Sequence, residues 1–273
     1  MFFTPWDPSL RWGDDQAEPS YTPPMPDFSK AIVLITGAAS GIGAATATRL
    51  AEAGARKLIL MDRDEDRLRD FAFTLPCERQ IRIGDVADER LWEREDLTGL
   101  THAVVNAGIG AGGPIADTSF ADWRQIMSIN LDGAFLTLQA AMKAMRDTGG
   151  SIVLTASVAG VKAEPGIAAY GASKAAVIHL ARIAAREGAP LGIRVNSIAP
   201  GGVETPIWEG LPSFNELVER QGKEAAFKAM AAATPLARFG KPEEIAAQIA
   251  FLLSDEAAFM TGACLVSDGG YSL

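Results

Sequence analysis

The sequence has little with which to ligate a metal or build a disulfide framework. Its 273 residues include two cysteines, Cys77 and Cys264, and two histidines, His102 and His179. No zinc-ligand spacing can be drawn from so few, and no disulfide set. Positive charge is also scarce. Lys and Arg number 25 against 34 Asp and Glu, for a net charge of −9, and there is no basic block of five or six residues. That balance disfavours nucleic acid or an anionic membrane as a partner. The opening residues, Met1-Phe2-Phe3-Thr4-Pro5-Trp6-Asp7, lack the basic segment and long apolar run of a signal peptide. No uncharged apolar run reaches the length of a membrane span. These absences predict a cytoplasmic protein without metal.

Apolar residues make up 48% and charged residues 22% of the chain, an ordinary globular balance. The length suits one large α/β domain. Residues 1–30 differ from the rest, holding six of the fifteen prolines and two of the five tryptophans with no helical or strand period. They read as an irregular extension, either a loose tail or an arm packed on a neighbouring subunit. Phe2, Phe3, Trp6, Trp12 and Tyr21 are many aromatics for a disordered segment.

From residue 31 to residue 273 short runs rich in Val, Ile and Leu alternate with longer helical patterns. The runs Ala31–Thr36, Lys57–Met61, Gln80–Ile83, Ala103–Val105, Ser151–Thr155, Ile193–Ile198 and Ala263–Val266 predict strands buried on both faces. Ile42–Ala53 and Tyr170–Arg186 are Ala-rich and of helical length. Such alternation predicts βαβ units in a single-domain, Rossmann-type, doubly wound parallel sheet with helices on both faces.

The first strand runs into Thr36-Gly37-Ala38-Ala39-Ser40-Gly41-Ile42-Gly43. Glycines at these spacings permit a tight turn, close approach of backbone to a pyrophosphate, and close packing of the next helix on the strand. The helix start then offers free N–H groups to phosphates. Asp62 ends the second strand, 19 residues after Gly43. A carboxylate there accepts hydrogen bonds from both ribose hydroxyls and repels a 2′-phosphate, which favours NAD over NADP. Arg63, next to it, is the residue that would favour NADP instead.

Tyr170 and Lys174 stand four residues apart on one helix face, after Ser157 at the end of the fifth strand. A lone Tyr-x3-Lys is weak, but here it keeps company. Thr36-Gly37-x3-Gly41-x-Gly43, Asn106-Ala107-Gly108, Asn130, Ser157, Tyr170-x3-Lys174 and Pro200-Gly201 together resemble the short-chain dehydrogenase/reductase family over residues 31–273. The glycine spacing is similar to the compact oxidoreductase branch.

The resemblance implies an NAD(H)-dependent oxidoreductase that moves a hydride between nicotinamide and a secondary alcohol or ketone. Tyr170 would be the general acid/base, its phenol lowered by the Lys174 ammonium and the positive nicotinamide. Lys174 would hold the nicotinamide ribose. Ser157 would hydrogen-bond the substrate oxygen, and Asn130 would hold a water linked to Lys174. Gly37, Ser40, Gly41, Ile42 and Gly43 would carry the pyrophosphate. Asp85 with Val86 would meet the adenine, and Asn106, Ala107 and Gly108 its ribose. Pro200, Val203 and Thr205 would lie against the nicotinamide carboxamide.

His179, nine residues past Tyr170 and half a turn round the helix, reads as packing or subunit contact. Lys162 and Glu164 fall where the family's substrate loop passes, and are otherwise solvated charges. The expected pocket segments, Ile109–Ile115, Val158–Ala169 and Pro206–Phe239, suggest a small or medium, mostly apolar substrate. The last of them, with helical patterns at Ser213–Arg220 and Lys223–Ala233, predicts a lid. Alternatives are a 3-oxoacyl-thioester reductase with a carrier-protein or coenzyme A substrate, and a non-catalytic dinucleotide-binding scaffold. Family habit predicts a homotetramer through Trp123–Arg146, Tyr170–Arg186 and Pro242–Leu273.

Overall fold

Residues 26–110 and 112–273 are described by a computed structural model. Most of the expected extension, residues 1–25, therefore lies outside the described residues. Its last part does not: Phe28 is 2% exposed and packs edge-on against the His102 ring, with centroids 5.6 Å apart.

Strands and helices alternate from there on. In order they are β1 (Ile32–Thr36), α1 (Gly41–Glu52), β2 (Lys57–Asp62), α2 (Glu65–Phe73), β3 (Glu78–Ile83), α3 (Glu89–Arg94) and β4 (His102–Val105). Then come α4 (Phe120–Met127), α5 (Gly133–Ala144), β5 (Gly150–Thr155), α6 (Ala168–Gly188) and β6 (Ile193–Pro200). α7 (Pro212–Gln221), α8 (Lys223–Met230), α9 (Pro242–Leu253) and β7 (Cys264–Ser267) complete the fold. The sheet order is β3-β2-β1-β4-β5-β6-β7, with every pair parallel. The winding direction reverses between β1 and β4, and in such sheets the crevice outside the carboxyl ends at that point takes the ligand.

Alternation along β1 divides the core. Val33 and Ile35 face one apolar cluster with Leu50 of α1, Leu68 of α2 and Ile249 of α9. Leu34 faces the other, with Leu138 of α5 and Val177 and Ala181 of α6. Leu50 is fully buried; truncation of such a leucine to Ala costs roughly 2–5 kcal/mol. A third cluster, separate from the sheet, joins Phe214, Ala226, Phe227, Ala231 and Phe239 around α7 and α8.

Two expectations need correction. β3 and β7 are not buried on both faces: Glu78 and Arg79 are exposed and the rest of β3 half-buried, and β7 is half-buried with Val266 exposed, because these are the two edge strands. Nor is Trp123–Arg146 one uninterrupted α-helix. A π-helical turn at Ser128–Asp132 separates α4 from α5. Widened turns of this kind recur at functional sites, and this one holds Asn130.

The amino-terminal edge of the sheet is held by a guanidinium. Arg194, at the start of β6, donates to the carbonyls of Leu252, Leu253 and Ser254 at 2.9 Å each, and so caps the end of α9. Four terminal carbonyls of any helix lack intrahelical partners, and a cation there also meets the negative end of the helix dipole.

Candidate active site

All functional segments converge on the carboxyl edge of the sheet. A cavity of about 760 Å³ runs along it, lined from Asp62 and Asp85 on the β2–β3 side to Ser157, Tyr170 and Pro200 on the β5–β6 side. With strands spaced by about 4.8 Å, β2 and β5 lie roughly 14 Å apart, a span suited to a dinucleotide.

The turn after β1 is shaped by backbone. Gly37 and Gly41 take positive φ values of 65° and 54°. Gly43 lies against the Gly37 carbonyl so closely that any β-carbon would collide with it. That contact pulls α1 onto the turn. Ser40 caps α1 in extended conformation, and its side chain makes no capping hydrogen bond, so the helix start and this hydroxyl both face the cavity uncommitted. Ile42 lines the cavity beside them.

Asp62 is doubly employed. Oδ2 accepts from the Ala39 N–H at 2.9 Å and Oδ1 from the Asp64 N–H at 3.1 Å. The carboxylate therefore braces the glycine turn while lining the cavity. Asp85, exposed, and Val86, 5% exposed, follow β3 and line the same end.

Asn106 lines the cavity and also bonds inward. Its Nδ2 donates to the carbonyls of Thr36 and Gly37 at 3.1 and 3.3 Å. The Thr36 hydroxyl in turn accepts the N–H groups of Asn106 and Ala107. The side chains thus stitch β1 to β4 under the turn, leaving the backbone of Ala107 and Gly108 to line the cavity. A β-carbon on Gly108 would come within 3.3 Å of the Lys174 ammonium nitrogen and 3.2 Å of Asn130 Oδ1. Only glycine lets the segment pass that close without displacement.

Asn130 is 1% exposed and its side chain is engaged: Oδ1 accepts from the Ile109 N–H, and Nδ2 donates to the Ile109 carbonyl and the Ser173 hydroxyl. Both amide hydrogens are spent, so the side chain has no donor left for a water.

Tyr170 and Lys174 project from the first turns of α6 into the cavity, with Ser157, just past the end of β5, beside them. Lys174 donates to the Thr155 carbonyl at 3.0 Å, and burial lowers its ammonium to about 8. Burial pushes the Tyr170 phenol above the ordinary tyrosine range, and the Ser157 hydroxyl pulls it partway back. The downward shift expected from Lys174 does not arise in the protein alone, where desolvation penalises phenolate.

Beyond Pro200, the Val203 carbonyl accepts from the Thr205 N–H and from the Trp208 indole at 2.7 Å. Val203 and Thr205 line the cavity beside Pro200. Trp208 stacks on Phe239 at 5.2 Å, holding together the two ends of the segment from Pro206 to Phe239. His179 is exposed and away from the cavity.

Some cavity residues were not legible in the sequence. Tyr271, after β7, and Thr155, in β5, line the cavity, and no local motif marks them. Met230 and Thr234 fall within the expected segment Pro206–Phe239. Among the described residues no group of His, Cys, Asp and Glu could hold a metal, and no helix is long and apolar enough to cross a membrane.

Comparison with known proteins accords with this geometry. The family model described as enoyl-(acyl carrier protein) reductase matches residues 37–272. The chain is 37% identical over 264 residues to cis-4-hydroxycyclohexanecarboxylate dehydrogenase of Sinomonas cyclohexanicum, covering 90% of this chain and 98% of that one. It is 38% identical over 262 residues to levodione reductase of Leifsonia aquatica, covering 91% and 97%. A crystal structure of a short-chain type dehydrogenase/reductase from Mycobacterium marinum superposes with a TM-score of 0.79 at 36% identity, covering 90% of this chain and 97% of the other.

Proposed function

The chain belongs to the short-chain dehydrogenase/reductase family, and from that premise we propose that it interconverts secondary alcohols and ketones with NAD(H), Tyr170 serving as the proton-transfer group. The observation that carries this reading is the convergence of Ser157, Tyr170 and Lys174 on one wall of a dinucleotide-sized cavity.

The residues fit the cofactor. The uncommitted start of α1 suits a pyrophosphate, and Gly37, Gly41 and Gly43 carry no side chain to block it. Asp62 suits a ribose diol and opposes a 2′-phosphate, which supports NAD over NADP. Val203 and Thr205 suit the carboxamide. When bound, NAD+ would supply the acceptor for the hydride of the carbinol carbon, and its positive charge would favour phenolate at Tyr170.

The chain's own groups do the rest. Ser157 holds the substrate oxygen against Tyr170. In oxidation Tyr170 phenolate takes the hydroxyl proton; in reduction Tyr170 phenol returns it. The Lys174 ammonium stabilises phenolate and contacts the ribose. The apolar wall of Ile167, Ile207, Trp208, Leu211 and Phe239 excludes water.

The test is a panel of secondary alcohols and their ketones with NAD(H) and NADP(H), followed by absorbance of the reduced cofactor. Turnover with NAD is expected. Absence of turnover with every alcohol and ketone would overturn the reading. The likeness to a 3-oxoacyl-(acyl-carrier-protein) reductase of Thermotoga maritima, 36% identical over 253 residues, favours a second reading in which the ketone belongs to a 3-oxoacyl thioester, so acetoacetyl-CoA with NADPH belongs in the same panel.

The same reading includes a homotetramer. The outward face of α6 exposes Ala172, Ala175 and Ile183, and Phe120 and Phe135 stand exposed on α4 and α5. Apolar faces of this kind suit burial against another copy.

A further inference from the structure

We propose that the substrate carries a second hydroxyl group, remote from the reacting carbon, and that Glu164 receives its hydrogen bond. The inference rests on the alcohol oxidoreductase reading above and narrows its substrate.

The cavity sorts its charges. Asp62, Arg63, Asp64, Arg67 and Asp85 sit on the β2–β3 side. On the β5–β7 side the described lining carries only two charged side chains, Lys174 and Glu164. The remaining wall there is largely apolar, with Pro165, Ile167, Ile207, Trp208, Leu211 and Met230. A carboxylate in such surroundings calls for a reason.

Glu164 is held firmly on one side. Its Oε1 accepts from the Tyr271 hydroxyl at 2.7 Å and lies 3.6 Å from the Lys162 ammonium. Lys162 in turn donates to the Tyr271 carbonyl at 3.0 Å and stands 4.1 Å from the centre of its ring. The three side chains fix one another, and two of them, Glu164 and Tyr271, face the cavity. The second oxygen, Oε2, makes no hydrogen bond among the described residues.

That oxygen decides the substrate. Water satisfies it when the cavity is open. A ligand filling the apolar wall displaces that water, and a buried acceptor left unpaired is costly. A ligand with a donor at that point avoids the cost. Lys162 already offsets the charge of Glu164, which favours a neutral donor over a cation. Lys162 does not line the cavity and is already bonded to Tyr271, so an anionic group would meet the carboxylate without a compensating cation. Diols are therefore favoured over mono-alcohols, and hydroxy acids are disfavoured. Sites built to hydrogen-bond a substrate hydroxyl discriminate strongly against analogues lacking it.

The test uses one skeleton: cyclohexanol, cyclohexane-1,2-diol, cyclohexane-1,4-diol and 4-hydroxycyclohexanecarboxylate, each with NAD and with NADP. The expected result is a kcat/KM for one of the diols at least about tenfold above cyclohexanol, carried mainly by KM, with the hydroxy acid poorest. Glu164→Gln should lower the diol-to-cyclohexanol ratio several-fold and raise the hydroxy acid relative to cyclohexanol. Tyr271→Phe keeps the ring over Lys162 and removes only the bond to Oε1, so the diol preference should persist. Equal efficiency on diols and cyclohexanol, or a ratio unmoved by Glu164→Gln, would overturn the inference and leave the oxidoreductase reading standing. The same loss of preference in Tyr271→Phe as in Glu164→Gln would also overturn it, because Glu164 would then serve only to anchor the segment after β7. Failure of every probe with both cofactors would instead remove the reading on which it rests.

Discussion

The Lys174 ammonium stands 5.8 Å from the centre of the Tyr170 ring, one helical turn away on the same face of α6. At that distance it is a neighbour of the phenol and not its hydrogen-bond partner; its own bond goes to the Thr155 carbonyl at 3.0 Å. Burial works against both charged forms, raising the phenol and lowering the ammonium to about 8.

Removal of the Tyr170 hydroxyl should separate chemistry from binding. Tyr170→Phe keeps the ring and its packing. Turnover should fall by about 10²–10⁴-fold, the usual contribution of general acid/base catalysis. Cofactor affinity, read by fluorescence titration, should be nearly unchanged. Substantial residual turnover would move the proton-transfer role elsewhere, with Ser157 the next candidate.

Cofactor choice should follow Asp62. Asp62→Ala removes the carboxylate proposed to hold the ribose and narrows the preference for NAD, lowering kcat/KM with NAD by about 10- to 100-fold, as for loss of charge-assisted hydrogen bonds. The brace on Ala39 and Asp64 is lost as well, so some weakening with NADP is expected. Equal efficiency with both cofactors in the unmutated protein would defeat the assignment.

The segment from Pro206 to Phe239 should close as a unit. Its aromatic cluster, Trp208, Phe214, Phe227 and Phe239, is distinct from the clusters on the two sheet faces. A small independent core lets a segment move without disturbing the sheet. Hydrogen exchange in this stretch should slow when cofactor and substrate bind together. Unchanged protection would count against closure.

Stability should fall on mild acidification. Burial lowers His102 from 6.5 to about 4, with the nearby Arg194 cation adding to the shift. Between these values the unfolded chain binds a proton that the folded chain refuses. Stability is therefore full above about pH 6.5 and declines as pH falls toward about 4, by about 3 kcal/mol at most. Urea midpoints measured from pH 4 to pH 7 should show this slope. His102→Gln should flatten it, and a slope equal in both proteins would assign the effect to other groups.

Assembly should survive dilution. Light scattering at low micromolar concentration should give four times the chain mass of 28.8 kDa. A monomer would refute the tetramer, and the exposed apolar faces of α4, α5 and α6 would then need another partner.

Seven strands were legible because most are apolar without interruption, the mark of burial on both faces. β3 was the exception: Glu78 and Arg79 look like loop because an edge strand tolerates charge where an inner one does not. The π turn at Ser128–Asp132 left no sign in the composition of the segment, and Asn130 within it bonds to the distant Ile109. The Gly, Ser, Tyr and Lys positions were legible as a constellation of fixed spacing. The inward bonds of Asn106 and the arrival of Tyr271 beside Glu164 were not, because both depend on which segments the sheet brings together.

Because every strand runs the same way, the protein has two unlike rims. The rim at the strand ends carries the cavity; the rim at the strand beginnings carries Arg194 on the last carbonyls of α9, with His102 near it. Between them stand whole strands of close-packed aliphatic side chains. Durability and reactivity are thus written on separate surfaces. An engineer seeking a hardier catalyst can work the Arg194 rim while the rates stay put, and one seeking a new substrate can rework the opposite rim over the same frame.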